Sequence, residues 1–278
     1  MRNQIGHLLA AASRAAPFER GRWRLGSLAY RMVDSGAADY AKIITTRHGF
    51  DLALDLRQFI DRTIFCTGEW EPHETQVIAR ILKPGDSFAD VGANIGYFAL
   101  LAAKIVGPEG HVYAFEANPE TYKLLQDNIA RNGAANVTAH HLAIGEDAGH
   151  AVIHRHEAGN AGRDVAMVAQ DGETGDQVRM ERLDSVLGDA SIKLIKLDIE
   201  GGEAKALRGA QAILEGEDAP QLLFELTPQF LVDNGDDAGE LLEWLRGLGY
   251  LLTEIATHGD HGEGGEASQS YYHAVKRR

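Results

Sequence analysis

A glycine-rich turn between two acidic strand ends is the part of the sequence that most clearly suggests chemistry. Residues 88–98 read FADVGANIGYF, where Asp90 lies in an apolar strand and Gly92 and Gly96 punctuate the turn. Glycine has no Cβ and lets the backbone approach a ligand closely, and the helix that follows begins with free N–H groups. The next strand ends in Glu116. A carboxylate in that place can accept hydrogen bonds from both hydroxyls of a ribose.

The same turn lacks two common nucleotide-binding patterns. The dinucleotide pattern GxGxxG requires glycine where this chain has Asn94 and Tyr97, and the phosphate-loop pattern GxxxxGK[ST] is absent. We therefore expect a nucleoside ligand without a pyrophosphate. Asp90 and Glu116 together suit a ligand with an ammonium group and a free ribose, and S-adenosylmethionine (SAM) has both. Glu116 taken alone would be interpreted more simply as a charge near the start of the next helix.

A third strand leads to Ala143 and Ile144, whose corner would lie against the adenine in this architecture. Plain packing at a strand end is an almost equally good interpretation of these two residues. With the loop and the strand ends combined, the predicted SAM-binding residues are Asp90, Gly92, Ala93, Asn94, Gly96, Tyr97, Phe98, Glu116, Ala117, Ala143, Ile144 and Asp198.

Three further acids are candidates for catalysis. Methyl transfer requires alignment of the nucleophile with the methyl group, and an alcohol acceptor also requires a base. Asp198 follows a buried strand, Glu200 shares its side if that strand continues, and Glu225 ends the next strand. A solvated strand-end carboxylate is the alternative for each. Asp198 and Glu225 could instead hold a divalent cation, but no dense ligand spacing indicates one, and we predict no metal site.

A short segment before the glycine-rich turn has the composition of an acceptor pocket. Trp70, Glu71 and His73 place an aromatic ring beside two polar groups, which suits the face of a sugar. The alternative is that they anchor the start of the helix that begins at Pro72.

Alternating strands and helices must position these residues. The β-α-β-α-β order predicts a parallel sheet with helices on both faces. Short antiparallel strands and loops are expected at about 145–182, where glycines interrupt the alternation. The predicted strands are 87–91, 111–115, 136–144, 192–197, 222–226, 250–255 and 271–275, and the helices are 97–106, 119–132, 203–214 and 238–248.

Three segments together resemble the FkbM family of SAM-dependent methyltransferases. They are DVGANIGYF, VYAFEANPETYKLLQDNI and LIKLDIEGGEAKAL, and the likeness extends over residues 66–252. Many class I methyltransferases share the first motif, whereas IKLDIEGGE is more specific. The resemblance implies a Rossmann-like class I fold with a mostly parallel seven-stranded sheet. It also implies methylation of a hydroxyl oxygen on a sugar, a polyketide or another small natural product. One departure is Ala117, where the family commonly has proline.

The composition limits the partners of the protein. The net charge of −14 repels phosphate backbones and argues against nucleic acid, and no apolar run is long enough for a membrane helix. Cys66 cannot form an internal disulfide, so we expect a cytoplasmic location. We expect a small-molecule or saccharide acceptor. Homo-oligomer formation, N-methylation, a dehydrogenase with an unusual loop and a non-catalytic SAM-binding module remain open alternatives.

We predict two regions in the chain. Residues 1–66 would form a basic arm and a β-hairpin with its turn at His48-Gly49, and residues 67–278 would form the methyltransferase domain with the insertion at about 145–182. The arm is rich in arginine, which suggests either solvated helices on an acidic body, or a lid or oligomer contact.

Overall fold

The computed structural model describes residues 2–17, 19–34, 36, 40–154, 165–168, 175–255 and 270–277. The first part of this chain is mainly helical. Helices α1 (Arg2–Ala15) and α2 (Glu19–Met32) are followed by the strands β1 (Ala41–Thr45) and β2 (Asp51–Asp55), then by α3 (Phe59–Thr67) and α4 (Pro72–Ile81). The antiparallel pair β1–β2 closes through His48-Gly49, which confirms the predicted hairpin turn.

The central part alternates as the sequence predicts. It contains β3 (Ser87–Val91), α5 (Tyr97–Val106), β4 (His111–Glu116), α6 (Pro119–Arg131), β5 (Val137–His141), β6 (Ala143–Ile144), β7 (Gly149–His154), β8 (Val165–Val168) and β9 (Asp176–Glu181). The last part contains α7 (Leu183–Leu187), β10 (Leu194–Leu197), α8 (Glu203–Arg208), α9 (Gln211–Glu215), β11 (Gln221–Leu226), α10 (Pro228–Asp233), α11 (Ala238–Gly247), β12 (Tyr250–Ile255) and β13 (Ser270–Lys276).

Seven of these strands form one sheet in the order β12-β13-β11-β10-β3-β4-β5. The strands β10, β11, β3, β4 and β5 pair in parallel, and β13 runs antiparallel to both β11 and β12. The predicted α/β fold with a mostly parallel seven-stranded sheet is therefore confirmed. Because parallel strands end at a common edge, the segments after β3, β4, β10 and β11 lie near one another.

The predicted third strand, 136–144, is in fact two strands in different sheets. β5 ends at His141, and Leu142 donates a backbone hydrogen bond to the carbonyl of Glu116 (3.2 Å). The chain then turns away, so that Ala143 and Ile144 pair with Met180 and Glu181 of β9. These residues belong to a four-stranded sheet of order β6-β9-β7-β8.

The predicted helix 203–214 is also divided, because α8 ends at Arg208 and α9 begins at Gln211. The break between α8 and α9 lies where another segment of the chain packs closely against Gly209. A Cβ added to Gly209 would meet the carbonyl oxygen of Gly145 at 2.0 Å. The carbonyl of Gly209 also accepts the N–H of Asp184 (3.0 Å). Local helical periodicity carries no information about such long-range contacts, which explains why the prediction was wrong.

Apolar side chains cover both faces of the central sheet. On one face Phe88, Leu194 and Leu223 belong to a core that also contains residues of α4, α5 and the N-terminal helices. On the other face Ile195 and Leu222 belong to a core shared with α8 and α11. No helix among the described residues is both long enough and apolar enough to cross a membrane.

One interpretation of the sequence expects solvated N-terminal helices, but not all of their arginines are exposed. Arg22 of α2 is buried and forms an ion pair with the buried Glu69 at 2.5 Å. Arg14 of α1 donates a hydrogen bond to the carbonyl of Phe65. These contacts attach α1 and α2 to the segment that leads into α4.

Candidate active site

The predicted cofactor turn lies between β3 and α5 and is held from both neighbouring strands. The N–H groups of Gly92 and Ala93 both donate to the carbonyl of Phe115 in β4, at 3.0 and 2.9 Å. Gly92 has a φ of +85°, and a Cβ there would lie 2.0 Å from the carbonyl oxygen of Asp198. Only glycine fits this contact, which places the turn directly against the end of β10.

Glu116 lies at the end of β4 and holds the turn through its carboxylate. One oxygen accepts the N–H of Asn94 and the other accepts the N–H of Asn118, both at 2.8 Å. Asn94 has a φ of +50°, and its bond to Glu116 holds the left-handed turn in place. An ionised carboxylate can accept about four hydrogen bonds, so acceptor capacity remains for a ligand besides the N–H groups of Asn94, Asn118 and Ala117. Burial raises the pKa of Glu116 to about 7.

Tyr97 and Phe98, predicted to bind the cofactor, direct their side chains into the core. The Tyr97 ring packs edge-on against Phe50, with centroids 5.5 Å apart. Its hydroxyl lies 3.5 Å from the hydroxyl of Thr75, and burial raises its pKa to about 12. A contact of these two residues with a cofactor would therefore come from their backbone at the start of α5.

The predicted adenine corner consists of small buried side chains. Ala143 and Ile144 are buried, and Ala117 packs against the core cluster that contains Ala143. Packing at a strand end, one of the two interpretations, is thus present. The adenine contact stays a prediction.

At the ends of β10 and β11 the predicted catalytic acids Asp198 and Glu225 lie close together, and Glu71 from the start of α4 joins them. One carboxylate oxygen from each of Glu71, Asp198 and Glu225 lies within 4.8 Å of the others. Asp198 follows β10 and Glu225 lies in the adjacent parallel strand β11, whereas Glu71 is the N-cap residue of α4. We call these three side chains the carboxylate cluster.

Glu71 does not use its side chain to cap α4, which the helix-start interpretation would require. It adopts a left-handed conformation (φ 39°), and no hydrogen bond joins its carboxylate to the start of the helix. One oxygen accepts the hydroxyl of Tyr271 in β13 (3.3 Å). Burial and the nearby carboxylate of Asp198 raise the pKa of Glu71 well above its ordinary value. The side chain thus belongs to the sheet edge and not to the helix end.

Trp70 and His73, the other two residues of the predicted acceptor pocket, lie at the start of α4. Trp70 is half-buried and packs edge-on against Phe59, with centroids 6.1 Å apart. Its carbonyl accepts the hydroxyl of Thr75 (3.0 Å), which fits an anchor of the helix start. His73 is half-buried in the first turn of α4. An acceptor pocket formed by Trp70 and His73 stays a prediction.

Lys196 is a residue of this site that the sequence analysis missed. It lies in the middle of β10, is 3% exposed, and its ammonium contacts the Asp198 carboxylate at 2.9 Å. The ammonium also lies 4.6 Å from the centre of the Phe98 ring, in cation–π range. Nearby carboxylates, Asp198 first, raise its pKa above the ordinary value against the opposing effect of burial. A lysine within the otherwise apolar strand LIKL was the available signal.

Asp90 is the register neighbour of Lys196 across β3 and β10. It is fully buried, and among the described residues neither of its carboxylate oxygens has a hydrogen-bond partner. Burial raises its pKa to about 6. Its predicted contact with the cofactor ammonium stays a prediction.

Glu200 does not share the side of Asp198 by strand alternation, so this argument for it was wrong. β10 ends at Leu197, and Glu200 lies in a turn with a φ of +53°. The next acid, Glu203, begins α8, and its buried carboxylate accepts the N–H groups of Ile199 (3.0 Å) and Gly201 (2.9 Å). The turn is therefore a rigid support for Asp198, and a catalytic role of Glu200 stays a prediction.

The fold and this site define a class of proteins that bind a nucleoside ligand at the carboxyl edge of a parallel sheet. The sequence model described as Methyltransferase FkbM domain matches residues 90–252. The chain is 30% identical over 226 residues to "31-O-demethyl-FK506 methyltransferase FkbM" of Streptomyces tacrolimicus, covering 70% of this chain and 82% of that protein. The chain therefore belongs to the FkbM family and is a SAM-dependent methyltransferase.

Two more distant similarities accompany this match. The chain is 32% identical over 150 residues to "Methyltransferase 1" of Beauveria bassiana, covering 45% of this chain and 59% of that protein. The crystal structure of "Methyltransferase FkbM" from Methylobacillus flagellatus KT superposes with a TM-score of 0.47 at 17% identity, covering 98% of this chain and 59% of that one.

Proposed function

We propose that the protein methylates a hydroxyl oxygen of a small molecule, a sugar or polyketide scaffold, in a cytoplasmic location. The observation that carries the proposal is the contact between the cofactor turn and the end of β10, where the Asp198 backbone touches Gly92. This contact puts a carboxylate beside the turn that would hold the methyl donor. The name of the Streptomyces tacrolimicus relative, which describes an O-methyltransferase, agrees with an oxygen acceptor.

The residues of the candidate site fit SAM in two respects. The shape of the turn depends on Gly92 and Gly96, whose missing Cβ atoms leave room for the Asp198 carbonyl and the Leu125 side chain. Glu116 retains acceptor capacity for the ribose hydroxyls, and the buried Asp90 has no hydrogen-bond partner among the described residues. Bound SAM would supply an electrophilic methyl group on a sulfonium. In this proposal the other binding residues are Ala93, Asn94, Tyr97, Phe98, Ala117, Ala143, Ile144 and Asp198.

Asp198 is the proposed base for the acceptor hydroxyl. Its side chain is about one-quarter exposed and therefore accessible to a substrate, whereas Glu71 and Glu225 are buried behind it. The ion pair with Lys196 orients the carboxylate. A general base of this kind contributes about 10²–10⁴-fold to a rate.

Replacing Asp198 by asparagine tests the proposal. We expect Asp198→Asn to lower kcat for methyl transfer to a hydroxyl by about 10²–10⁴-fold. The measurement is transfer of labelled methyl from SAM to a panel of hydroxylated acceptors. Calorimetry with SAM, S-adenosylhomocysteine and NAD, on the wild type and the variant, separates loss of chemistry from loss of cofactor binding.

Each alternative function has its own outcome in these experiments. Near-full activity of Asp198→Asn on an amine acceptor would favour N-methylation, because an amine needs no strong base. SAM binding without transfer to any acceptor would indicate a non-catalytic module. Tight NAD binding without SAM binding would favour a dehydrogenase and contradict the proposal.

A further inference from the structure

The carboxylate cluster brings three acids together in a largely buried place, and two further buried acids lie nearby. Besides Glu71, Asp198 and Glu225, the buried acids Glu74 and Asp90 act electrostatically on the same place. The buried cation facing them is Lys196. Crowding carboxylates in a buried place is costly, and a bound cation is one way to offset that cost.

Glu71 provides an independent indication of a ligand. The residue is 9% exposed, and its second oxygen, Oε2, is within hydrogen-bond reach of no described donor, although Tyr271 donates to Oε1. The backbone of Glu71 is also left-handed, which is unfavourable for a residue with a side chain. A strained residue that buries an unpartnered carboxylate oxygen among other carboxylates has the properties of a cation ligand.

The geometry and chemistry of the cluster select a class of ion. Two oxygens on opposite sides of a cation are about 4–5 Å apart for the bond lengths of Mg²⁺ and Ca²⁺. The three carboxylate oxygens, all within 4.8 Å of one another, therefore fit around one ion. All three ligands are hard oxygen donors, with neither histidine nor cysteine in the group, which favours Mg²⁺, Mn²⁺ or Ca²⁺ over zinc.

We propose that Glu71, Asp198 and Glu225 bind one divalent cation of the oxygen-preferring class (Mg²⁺, Mn²⁺ or Ca²⁺) at the end of β10 and β11. The sequence analysis predicts no metal site because no dense ligand spacing indicates one, and Glu71 lies far from the other two ligands in the chain. Lys196 remains in place as the neighbour of Asp198 and supplements the charge of the ion.

The position of the cation gives it a role in the proposed reaction. The partly exposed Asp198 marks the side of the cluster that a substrate can reach. A hydroxyl that joined the coordination of the ion would lose its proton more readily, as metal-bound water does, and the proposed base Asp198 would accept that proton. This role rests on the proposed O-methyl transfer, whereas the binding of the ion does not.

Mn²⁺ binding in the absence of SAM and acceptor tests the site directly. We expect the metal-free full-length chain, titrated with Mn²⁺ and followed by electron paramagnetic resonance, to bind one ion saturably, with Mg²⁺ as a competitor. Glu71→Gln and Glu225→Gln should each weaken binding at least about tenfold, the scale on which altered metal environments act. Glu243→Gln, whose exposed side chain pairs with Arg246 on α11, should bind as the wild type.

Thermal unfolding provides a second readout that does not depend on activity. Mn²⁺ should raise the Tm of the wild type and of Glu243→Gln, and it should leave the Tm of Glu71→Gln unchanged, because an ion bound to the folded state stabilises it. Absence of saturable binding to the wild type would overturn the proposal, as would unaltered binding to both cluster variants.

The outcome separates this inference from the proposed function. Full methyl transfer to a hydroxyl in the presence of EDTA, with no Mn²⁺ binding, would refute the cation and leave the function intact. Mn²⁺ binding that the cluster variants lose, without transfer to any hydroxyl, would support the cation site and refute the function.

Discussion

The two faces of the central sheet are formed by the same strands but differ sharply near the carboxyl edge. On the face that packs against α4, Phe88, Leu194 and Leu223 are followed two residues later by Asp90, Lys196 and Glu225. On the opposite face the equivalent positions remain apolar, with Val91, Leu197 and Phe224 packed under α8 and α11.

The two faces therefore contribute differently to the stability of the fold. Apolar burial stabilises the fold at about 25 cal/mol per Å² of apolar surface removed from water, whereas buried charges add little net stability even when paired. The stability of the sheet therefore rests mainly on its apolar surfaces, and the polar half of one face contributes little to it.

The largest effect in this comparison is expected on removing the buried ammonium. Lys196→Met should lower the free energy of unfolding by about 3–5 kcal/mol, because it leaves buried carboxylates without their counter-charge. Methyl transfer should be lost as well, since Asp198 loses its orienting partner. Urea unfolding measures the first effect.

The double variant Lys196→Met with Asp198→Asn serves as the control. It should recover part of the lost stability, because both charged partners are then absent, but it should recover no methyl transfer. A double variant that is destabilised by the sum of the two single changes would argue against the ion pair as the cause.

A core change on the opposite face should affect stability alone. Leu222→Ala removes a fully buried side chain from the apolar face and should cost about 2–5 kcal/mol of unfolding free energy. The activity of the protein that remains folded should stay close to that of the wild type. A selective loss of kcat in Leu222→Ala would show that the two faces are not separate in function.

The contact between the cofactor turn and β10 can be tested with two matched glycines. Gly92 and Gly85 both have a positive φ, of +85° and +90°, but a Cβ at Gly85 would meet no atom within 4 Å. Gly85→Ala should cost about 1–2 kcal/mol for the left-handed backbone alone. Gly92→Ala should cost about 1–3 kcal/mol more because its Cβ overlaps the Asp198 carbonyl.

SAM affinity should also distinguish the two glycine variants. We expect Gly92→Ala to weaken SAM binding in calorimetry and Gly85→Ala to leave it unchanged. Equal SAM affinities of the two variants would contradict a cofactor site at the turn.

The smallest expected effect is a pH dependence of cofactor binding. The pKa of Glu116 is raised to about 7, and the ribose hydroxyls require its ionised form as an acceptor. As the pH falls through about 7, protonation of Glu116 should weaken SAM binding, approaching about tenfold per pH unit. Calorimetry from about pH 8 to about pH 6 measures this slope.

Glu116→Gln is the control for that dependence. It should bind SAM more weakly at high pH and should lose most of the slope near pH 7. A wild-type affinity that does not change across this range would show that Glu116 does not titrate in the free protein.

Much of the fold was predictable because the relevant signals are local. Alternating apolar runs, the proline at the start of α6 and the N-cap Asn118, whose side chain accepts two backbone N–H groups, belong to neighbouring residues. The predicted elements that failed were those shaped by distant parts of the chain, namely the division of 136–144 and the break between α8 and α9.

The candidate site, like the fold, combines features that the sequence predicts with features that only the tertiary structure shows. The glycine-rich turn, Glu116 and Asp198 were visible in the sequence, because strand ends and turns have characteristic local patterns and parallel strands share an edge. Only the tertiary structure placed Glu71 beside Asp198 and Glu225 and set Lys196 beneath them. Electrostatic interactions depend on distance in space and on burial, and neither is encoded at any single position of the chain.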